Sequence, residues 1–93
     1  MKAILNQVFA ITLESNPTTG YRWEAKFDRA FIELKNRDLA VSNPRSIGAG
    51  GVETFNFIPL KAGETKIIMS YKRSWEGKPA EEKSFHVTIS EGV

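Results

Sequence analysis

Apolar residues alternate with polar ones through most of the chain, at the two-residue period of a half-buried β-strand. The alternation is clearest in Phe9 to Leu13, in Tyr21 to Phe27 and in Val52 to Ile58. Two further strands are predicted at Glu64 to Lys72 and at Lys83 to Ser90, again with apolar residues on one face. Proline and glycine separate these segments at turn positions. No segment has a convincing helical period, so an all-β fold is predicted.

Two stretches depart from simple alternation. Ala3-Ile4-Leu5 is predicted to form a short first strand that turns at Asn6-Gln7. Further on, either Asp28 caps a helical turn or the chain continues directly as a strand. We predict a strand from Phe31 to Ser42. That prediction treats Lys35-Asn36-Arg37-Asp38 as a bulge, because a hairpin there would add one more strand.

Length and composition narrow the possibilities. The chain has 93 residues, and residues 1–93 are predicted to form a single domain, which at this size buries only about 60–65% of its unfolded surface. It has no cysteine, which excludes disulfides and thiolate metal sites. The net charge of +2 is scattered along the chain, which argues against nucleic acid or a membrane surface as the main partner. Stability therefore has to come from packing.

No combination of residues suggests catalysis. The single histidine, His86, lies on the predicted last strand and faces away from its apolar residues Phe85, Val87 and Ile89. No nucleophile is paired with a base, and acids such as Glu81-Glu82 have the pattern of a solvated surface. We therefore predict a protein that is not an enzyme and that holds no metal and no cofactor.

The chain is also expected to be a soluble monomer. No apolar run approaches the roughly 20 residues of a membrane-spanning helix. Met1 to Leu5 imitates a signal peptide only briefly before polar residues interrupt it. Either a cytoplasmic protein or a mature secreted form fits this pattern.

One stretch, Asn16-Pro17-Thr18-Thr19-Gly20-Tyr21, has the composition of a rigid loop. Pro17 fixes its own φ, and Gly20 permits the positive φ that would turn the chain back into a strand. Thr18 and Thr19 are β-branched and stiff at χ1, so their hydroxyls would lose little entropy when a partner binds. An ordinary turn between two strands is the alternative interpretation of such a loop.

Three motifs, in order, resemble the signatures of the chagasin-like inhibitors of cysteine peptidases. The first loop, Asn16 to Tyr21, is similar to the family's NPTTG loop with its following aromatic residue. The second loop, Gly48-Ala49-Gly50-Gly51, matches GxGG, and the third loop, Arg73-Ser74-Trp75-Glu76-Gly77, resembles RPWxG with serine where proline is usual. The resemblance extends from about Phe9 to the C-terminus. It implies an immunoglobulin-like antiparallel β-sandwich of about seven strands.

The resemblance also implies an activity, the tight and reversible inhibition of papain-like peptidases of the cathepsin type. In such inhibitors the first loop covers the catalytic centre, the second lies along one side of the substrate cleft, and the third contacts the other side. Ser74 in place of proline predicts a less restricted third loop. The peptidase-binding residues implied are Asn16, Pro17, Thr18, Thr19, Gly20, Tyr21, Ile47, Gly48, Ala49, Gly50, Gly51, Val52, Arg73, Ser74, Trp75 and Gly77.

The predicted strands support one shared site. Two strands separate the first loop from the second and two separate the second from the third, so all three are expected at one end of the sandwich. Glycines there would let a partner approach the backbone, and Trp75 beside Arg73 has the composition of an interface hot spot. The alternative interpretation of the glycines is a flexible turn, and that of Trp75 is an indole folded back over the rim of the sandwich. An immunoglobulin-like adhesion or carbohydrate-binding module would use the same end for another ligand.

Overall fold

The described part of the chain forms a sandwich of two β-sheets. A computed structural model describes residues 1–16, 20–41, 50–73, 75 and 77–92. One sheet has the order β1-β7-β6-β3 and the other has the order β2-β5-β4, and these residues include no helix. The all-β, seven-strand prediction is therefore confirmed. The strands are β1 (Lys2–Ile4), β2 (Phe9–Ser15), β3 (Tyr21–Phe27), β4 (Ile32–Val41), β5 (Gly51–Pro59), β6 (Gly63–Arg73) and β7 (Glu81–Ser90).

The core lies between the two sheets and is built from alternate residues of the strands. Phe55 and Phe57 on β5 face Ile67 and Met69 on β6, and all four are fully buried. Trp23, within the strand predicted from Tyr21 to Phe27, is 2% exposed and lies in the core. The remaining buried apolar residues are Ala3, Ile11, Leu13, Ile32, Val87 and Ile89.

The first strand forms a parallel pair, whereas the other strand pairs of the described sandwich are antiparallel. β1 pairs with β7 in parallel, with Lys2 opposite Thr88 and Ile4 opposite Ser90. A parallel neighbour is possible here because β1 and β7 lie far apart in sequence, so no hairpin sets their relative direction. The strand ends, as predicted, at a tight turn, where Asn6 has a φ of 64°.

The segment after β3 contains both the turn at Asp28 and the strand that the sequence leaves open as alternatives. The carbonyl oxygen of Asp28 accepts hydrogen bonds from the backbone N–H groups of Phe31 (3.1 Å) and Ile32 (3.0 Å), which is a single turn. The strand then begins at Ile32 and continues through the predicted bulge, where the register with β5 shifts between Leu34 and Asn36. No hairpin interrupts β4, so a single strand is confirmed over Ile32–Val41, and the predicted end at Ser42 lies outside the described residues.

The bulge decides which side chains of β4 face the opposite sheet. Before it, Leu34 lies opposite the buried residue Phe57; after it, Arg37 lies opposite Phe55 and Leu39 opposite Glu53. If Lys35 were paired with β5 rather than bulged out, strict alternation would turn Asn36 inward instead. The bulge thus brings a guanidinium to the open side of the sandwich, where β3 and β4 are the edge strands.

The topology brings the described flanks of the three loops to one end of the molecule. At that end, Ser15 at the close of β2 pairs with Gly51 at the start of β5. In the other sheet, Tyr21 at the start of β3 pairs with Arg73 at the close of β6. The β4–β5 and β6–β7 pairs are antiparallel neighbours, so the second and third loops leave from the same end. The strand count made from the sequence therefore agrees with the register.

Candidate functional site

The structure describes part of each predicted loop. The residues that it brings to the shared end are Asn16, Gly20, Tyr21, Gly50, Gly51, Val52, Arg73, Trp75 and Gly77. The other predicted site residues, Pro17, Thr18, Thr19, Ile47, Gly48, Ala49 and Ser74, lie outside the described residues.

A stack of rings leads from the core to the rim at this end. The ring of Trp23 lies 4.8 Å from that of Tyr71, and Tyr71 stacks on Tyr21 with 5.2 Å between ring centroids. The guanidinium of Arg73 lies 4.5 Å from the centroid of the Tyr21 ring and 5.7 Å from that of the Trp75 ring. Such aromatic and cation–π contacts each contribute about 0.5–1.5 kcal/mol. We name this series of five residues the aromatic stack.

The two ends of the first loop contact residues that belong to, or directly precede, the third loop. One end contacts β6, and the other contacts Trp75. The hydroxyl oxygen of Tyr71 accepts a hydrogen bond of 3.0 Å from the backbone N–H of Asn16. Gly20, at the other end of that loop, has a φ of 81°, and a Cβ added there would lie 3.1 Å from Cη2 of Trp75. The indole of Trp75 is nevertheless 70% exposed. The indole therefore packs against Gly20 on one side and remains accessible to a partner.

The Gly20 contact gives a direct test. Replacing Gly20 by alanine is expected to lower the free energy of unfolding by about 1–2 kcal/mol, because a side chain is strained at positive φ. The same change should shift the NMR signal of the Trp75 indole N–H, since the added methyl group meets the ring. Chemical denaturation and a ¹H–¹⁵N spectrum measure the two effects.

Gly77→Ala is the matched control for Gly20→Ala. Gly77 has no positive φ, and a Cβ there would meet no atom within 4 Å. The free energy of unfolding of the Gly77→Ala variant should stay within about 0.5 kcal/mol of that of the wild type. If the two variants were equally stable, the conformational requirement at Gly20 would be refuted.

A shallow cleft of about 440 Å³ separates the first loop from the second. Ser15 and Asn16 line it on one side, and Gly50 to Val52 line it on the other, with Tyr71 and Glu14 completing the wall. A Cβ added at Gly50 would meet no atom within 4 Å. The backbone of the second loop therefore borders open space at Gly50, where another chain could approach it.

Beneath the loops, a buried carboxylate joins the two sheets. Glu53 on β5 is 1% exposed, and its Oε2 accepts a hydrogen bond of 3.0 Å from the backbone N–H of Trp23 on β3. Its Oε1 contacts Nη2 of Arg37 at 2.9 Å and Nε of Arg22 at 3.2 Å. Arg37 also donates a hydrogen bond of 2.9 Å to the carbonyl oxygen of Trp23. Glu53 and Arg37 thus satisfy both backbone polar groups of Trp23 on the open edge of β3.

These contacts set the protonation of Glu53. Burial by itself raises the pKa of the carboxyl group, because the charged form loses its water. Hydrogen bonds to the carboxylate, led by those from the Trp23 N–H and from Arg37, favour the charged form and together outweigh burial. The pKa of Glu53 therefore lies below its ordinary value of 4.5, and the group is ionised at neutral pH.

The lowered pKa predicts a loss of stability in acid. A carboxyl group whose pKa is lower in the folded than in the unfolded state stabilises the fold above the unfolded pKa. Its contribution disappears as the pH falls from 4.5 through the lower folded value. We expect the difference in unfolding free energy between wild type and Glu53→Gln to be constant near neutral pH and to narrow as the pH falls below 4.5. Urea titrations across this range measure it; a difference that widened in acid would contradict the assignment.

The described residues offer little chemistry of other kinds. They contain no group of three histidine, cysteine or acidic side chains that could hold a metal ion. His86 has its Nε2 3.8 Å from Oε1 of Glu64, and both side chains are largely exposed. Within the same part of the chain, no helix is long and apolar enough to cross a membrane.

Three residues that support the site are absent from the sequence-based prediction, namely Glu14, Glu53 and Tyr71. The carbonyl oxygen of Glu14 accepts a hydrogen bond of 2.9 Å from Nε1 of Trp23. The two-residue alternation along β5 could have indicated that Glu53 is buried, because it occupies the same face of the strand as Phe55 and Phe57. Nothing in the sequence indicates what the hydroxyl of Tyr71 contacts.

Comparison with known proteins places this arrangement among protein inhibitors. Residues 2–89 match the family described as Chagasin family peptidase inhibitor I42. The chain is 34% identical to amoebiasin-2 of Entamoeba histolytica over 89 residues, which cover 90% of this chain and 72% of that protein. It is 31% identical to chagasin of Trypanosoma cruzi over 92 residues, 91% of this chain and 82% of that protein.

A solved structure agrees with the sequence relatives. The crystal structure of a cysteine protease inhibitor from Entamoeba histolytica superposes with a TM-score of 0.85 at 26% identity. The match covers 97% of this chain and 85% of the other. The similarity therefore extends over nearly the whole chain.

Proposed function

The chain belongs to the chagasin family of cysteine peptidase inhibitors, and from this we propose that it binds papain-like, cathepsin-type peptidases tightly and reversibly, as a monomer, with its three loops across the active-site cleft. It is an inhibitor rather than an enzyme. The first loop, with Thr18 and Thr19, covers the catalytic centre. The second loop lies along one side of the cleft, and Arg73 and Trp75 contact the other.

The observation that carries this proposal is the convergence of the loop flanks on one end of a rigid sandwich. The register brings Gly51 beside Ser15 and Arg73 beside Tyr21. The aromatic stack and the Asn16–Tyr71 hydrogen bond hold the described ends of the first and third loops before any partner arrives. Preorganised loops pay less conformational entropy on binding, which favours high affinity.

Inhibition follows from shape rather than from a reaction. A wedge of stiff loops fills the cleft but presents no extended peptide bond in line with the catalytic thiolate. An interface of ordinary size buries about 800 Å² on each partner, and such interfaces reach nanomolar affinity when their central anchors are well packed. The exposed indole of Trp75 supplies one such anchor.

The test is an inhibition titration against papain and a cathepsin-type peptidase, with a serine peptidase as the negative control. We expect a tight-binding curve with papain-like enzymes, recovery of activity on dilution, and no effect on the serine peptidase. The double variant Thr18→Ala/Thr19→Ala should inhibit more weakly. If the wild type leaves every papain-like enzyme active at micromolar concentration, the proposal is wrong and a binding module for another ligand becomes the better interpretation.

Substitution at Gly50 separates contact with the peptidase from effects on folding. A Cβ at this position meets open space in the free protein, so Gly50→Ala should change the unfolding free energy by less than about 0.5 kcal/mol. Gly50→Val should weaken inhibition by about tenfold or more, because a branched side chain keeps the partner away from the backbone. Unchanged inhibition by Gly50→Val would remove this part of the second loop from the interface.

A further inference from the structure

We propose that Tyr71 is a positioning residue that couples the first loop to the third, so that the two loops bind a peptidase as one unit. This proposal rests on the inhibitory function proposed above. Tyr71 belongs to β6 and precedes the third loop, and it lies outside all three sequence motifs. Its hydroxyl contacts the first loop, and its ring supports the residues that lead to the third.

The hydrogen bond from Asn16 to Tyr71 crosses between the two sheets. The pairing of β2 with β5 ends at Ser15 opposite Gly51, and the next N–H, that of Asn16, turns instead to the Tyr71 hydroxyl at 3.0 Å. Tyr71 is on β6 of the other sheet. One phenol oxygen therefore determines where the chain leaves β2 and enters the first loop.

The ring of Tyr71 acts on the third loop through its neighbours. One face stacks against Tyr21, whose own ring lies 4.5 Å from the Arg73 guanidinium. Trp23, which is fully packed in the core, lies 4.8 Å from the Tyr71 ring and fixes its position. A shift of the Tyr71 ring would move Tyr21 and Arg73 together, and with them the support beneath Trp75.

Two substitutions separate the hydroxyl from the ring. Tyr71→Phe keeps the ring and removes the acceptor for the Asn16 N–H; Tyr71→Leu removes both. Hydrogen exchange of the Asn16 amide in the free protein should become faster in both variants, whereas the NMR signal of the Trp75 indole should move only in Tyr71→Leu. These measurements need no peptidase, so they decide the positioning role even if the proposed inhibition fails.

Inhibition kinetics then test the coupling. Loss of one hydrogen bond is expected to weaken inhibition by Tyr71→Phe about fivefold, mainly through faster dissociation. Combining Tyr71→Leu with Trp75→Ala should lose less affinity than the sum of the two single changes, since Tyr71→Leu already displaces the indole. Ile89→Val, a core change at the opposite end of β7, is the control for reduced stability and should leave inhibition unchanged.

Three results would overturn the proposal. Unchanged Asn16 exchange in Tyr71→Phe would show that the hydroxyl does not hold the first loop. Fully additive effects of Tyr71→Leu and Trp75→Ala would show that the loops bind independently. If Ile89→Val weakened inhibition as much as Tyr71→Phe, general stability rather than position would explain the effect.

Discussion

Truncating Trp75 to alanine is expected to weaken inhibition of a papain-like peptidase by about 30-fold or more, since hot-spot tryptophans cost about 2 kcal/mol or more on truncation. The indole is exposed, yet Arg73 lies over its ring and Gly20 lies beneath its edge. The free protein therefore already holds a large apolar surface in a fixed position. The inhibition constant, measured by titration with a fluorogenic substrate, gives the loss directly.

Leu60→Ala is the matched control for the Trp75 experiment. Leu60 is also an exposed apolar residue, at 44%, but it follows β5 at the end of the sandwich opposite the loops. Its truncation should change inhibition by no more than about twofold. Leu60→Ala should unfold within about 0.5 kcal/mol of the wild type, and Trp75→Ala should lose about 0.5–1 kcal/mol, because it removes the cation–π contact with Arg73. A Trp75→Ala protein that inhibits as well as the wild type would exclude the indole from the contact surface.

Replacing Glu53 by alanine is expected to lower the free energy of unfolding by about 2–4 kcal/mol, because hydrogen bonds to a charged group are lost and the Trp23 N–H is left unsatisfied. Glu53 accepts from that N–H and contacts both Arg22 and Arg37. The two guanidinium groups are partly exposed and can recover water, so the main cost falls on the buried backbone. Chemical denaturation near neutral pH measures the change.

Two further variants define the cause of the Glu53 effect. Glu53→Gln keeps the shape and one acceptor oxygen, so it should lose roughly 1–2 kcal/mol, less than alanine. Glu33→Ala removes an exposed acid from β4 and should stay within about 0.5 kcal/mol of the wild type. Equal stability of Glu53→Ala and Glu33→Ala would mean that the buried carboxylate adds nothing to the fold.

Most of the fold was predictable because the strands alternate strongly. Phe55 and Phe57 on β5, and Ile67 and Met69 on β6, occupy alternate positions and are fully buried, so a one-residue error in register would expose them. Trp23 lies in the core for the same reason. The parallel pairing of β1 was not predictable, because a three-residue strand carries no pattern that fixes its neighbour or its direction.

The loop motifs of the candidate site were predictable, but the contacts that hold the loops in position were not. Spacing placed the three loops at one end, and the register of the described flanks agrees. The partners of Glu53 and Tyr71 depend on contacts between sheets, and such contacts follow from the packing of residues about 16 to 55 positions apart along the chain. No local pattern of residue types reports them.

The bulge in β4 makes this part of the chain tolerant of a single deleted residue. Lys35 has no partner on β5, so its loss would leave Leu34 opposite Phe57 and Arg37 opposite Phe55. Insertion of one residue between Asn36 and Arg37 would instead turn the guanidinium outward and take its Nη2 away from Glu53. Among homologous chains that keep both Glu53 and Arg37, a one-residue gap between Leu34 and Arg37 is therefore expected to be tolerated, and an insertion there is not.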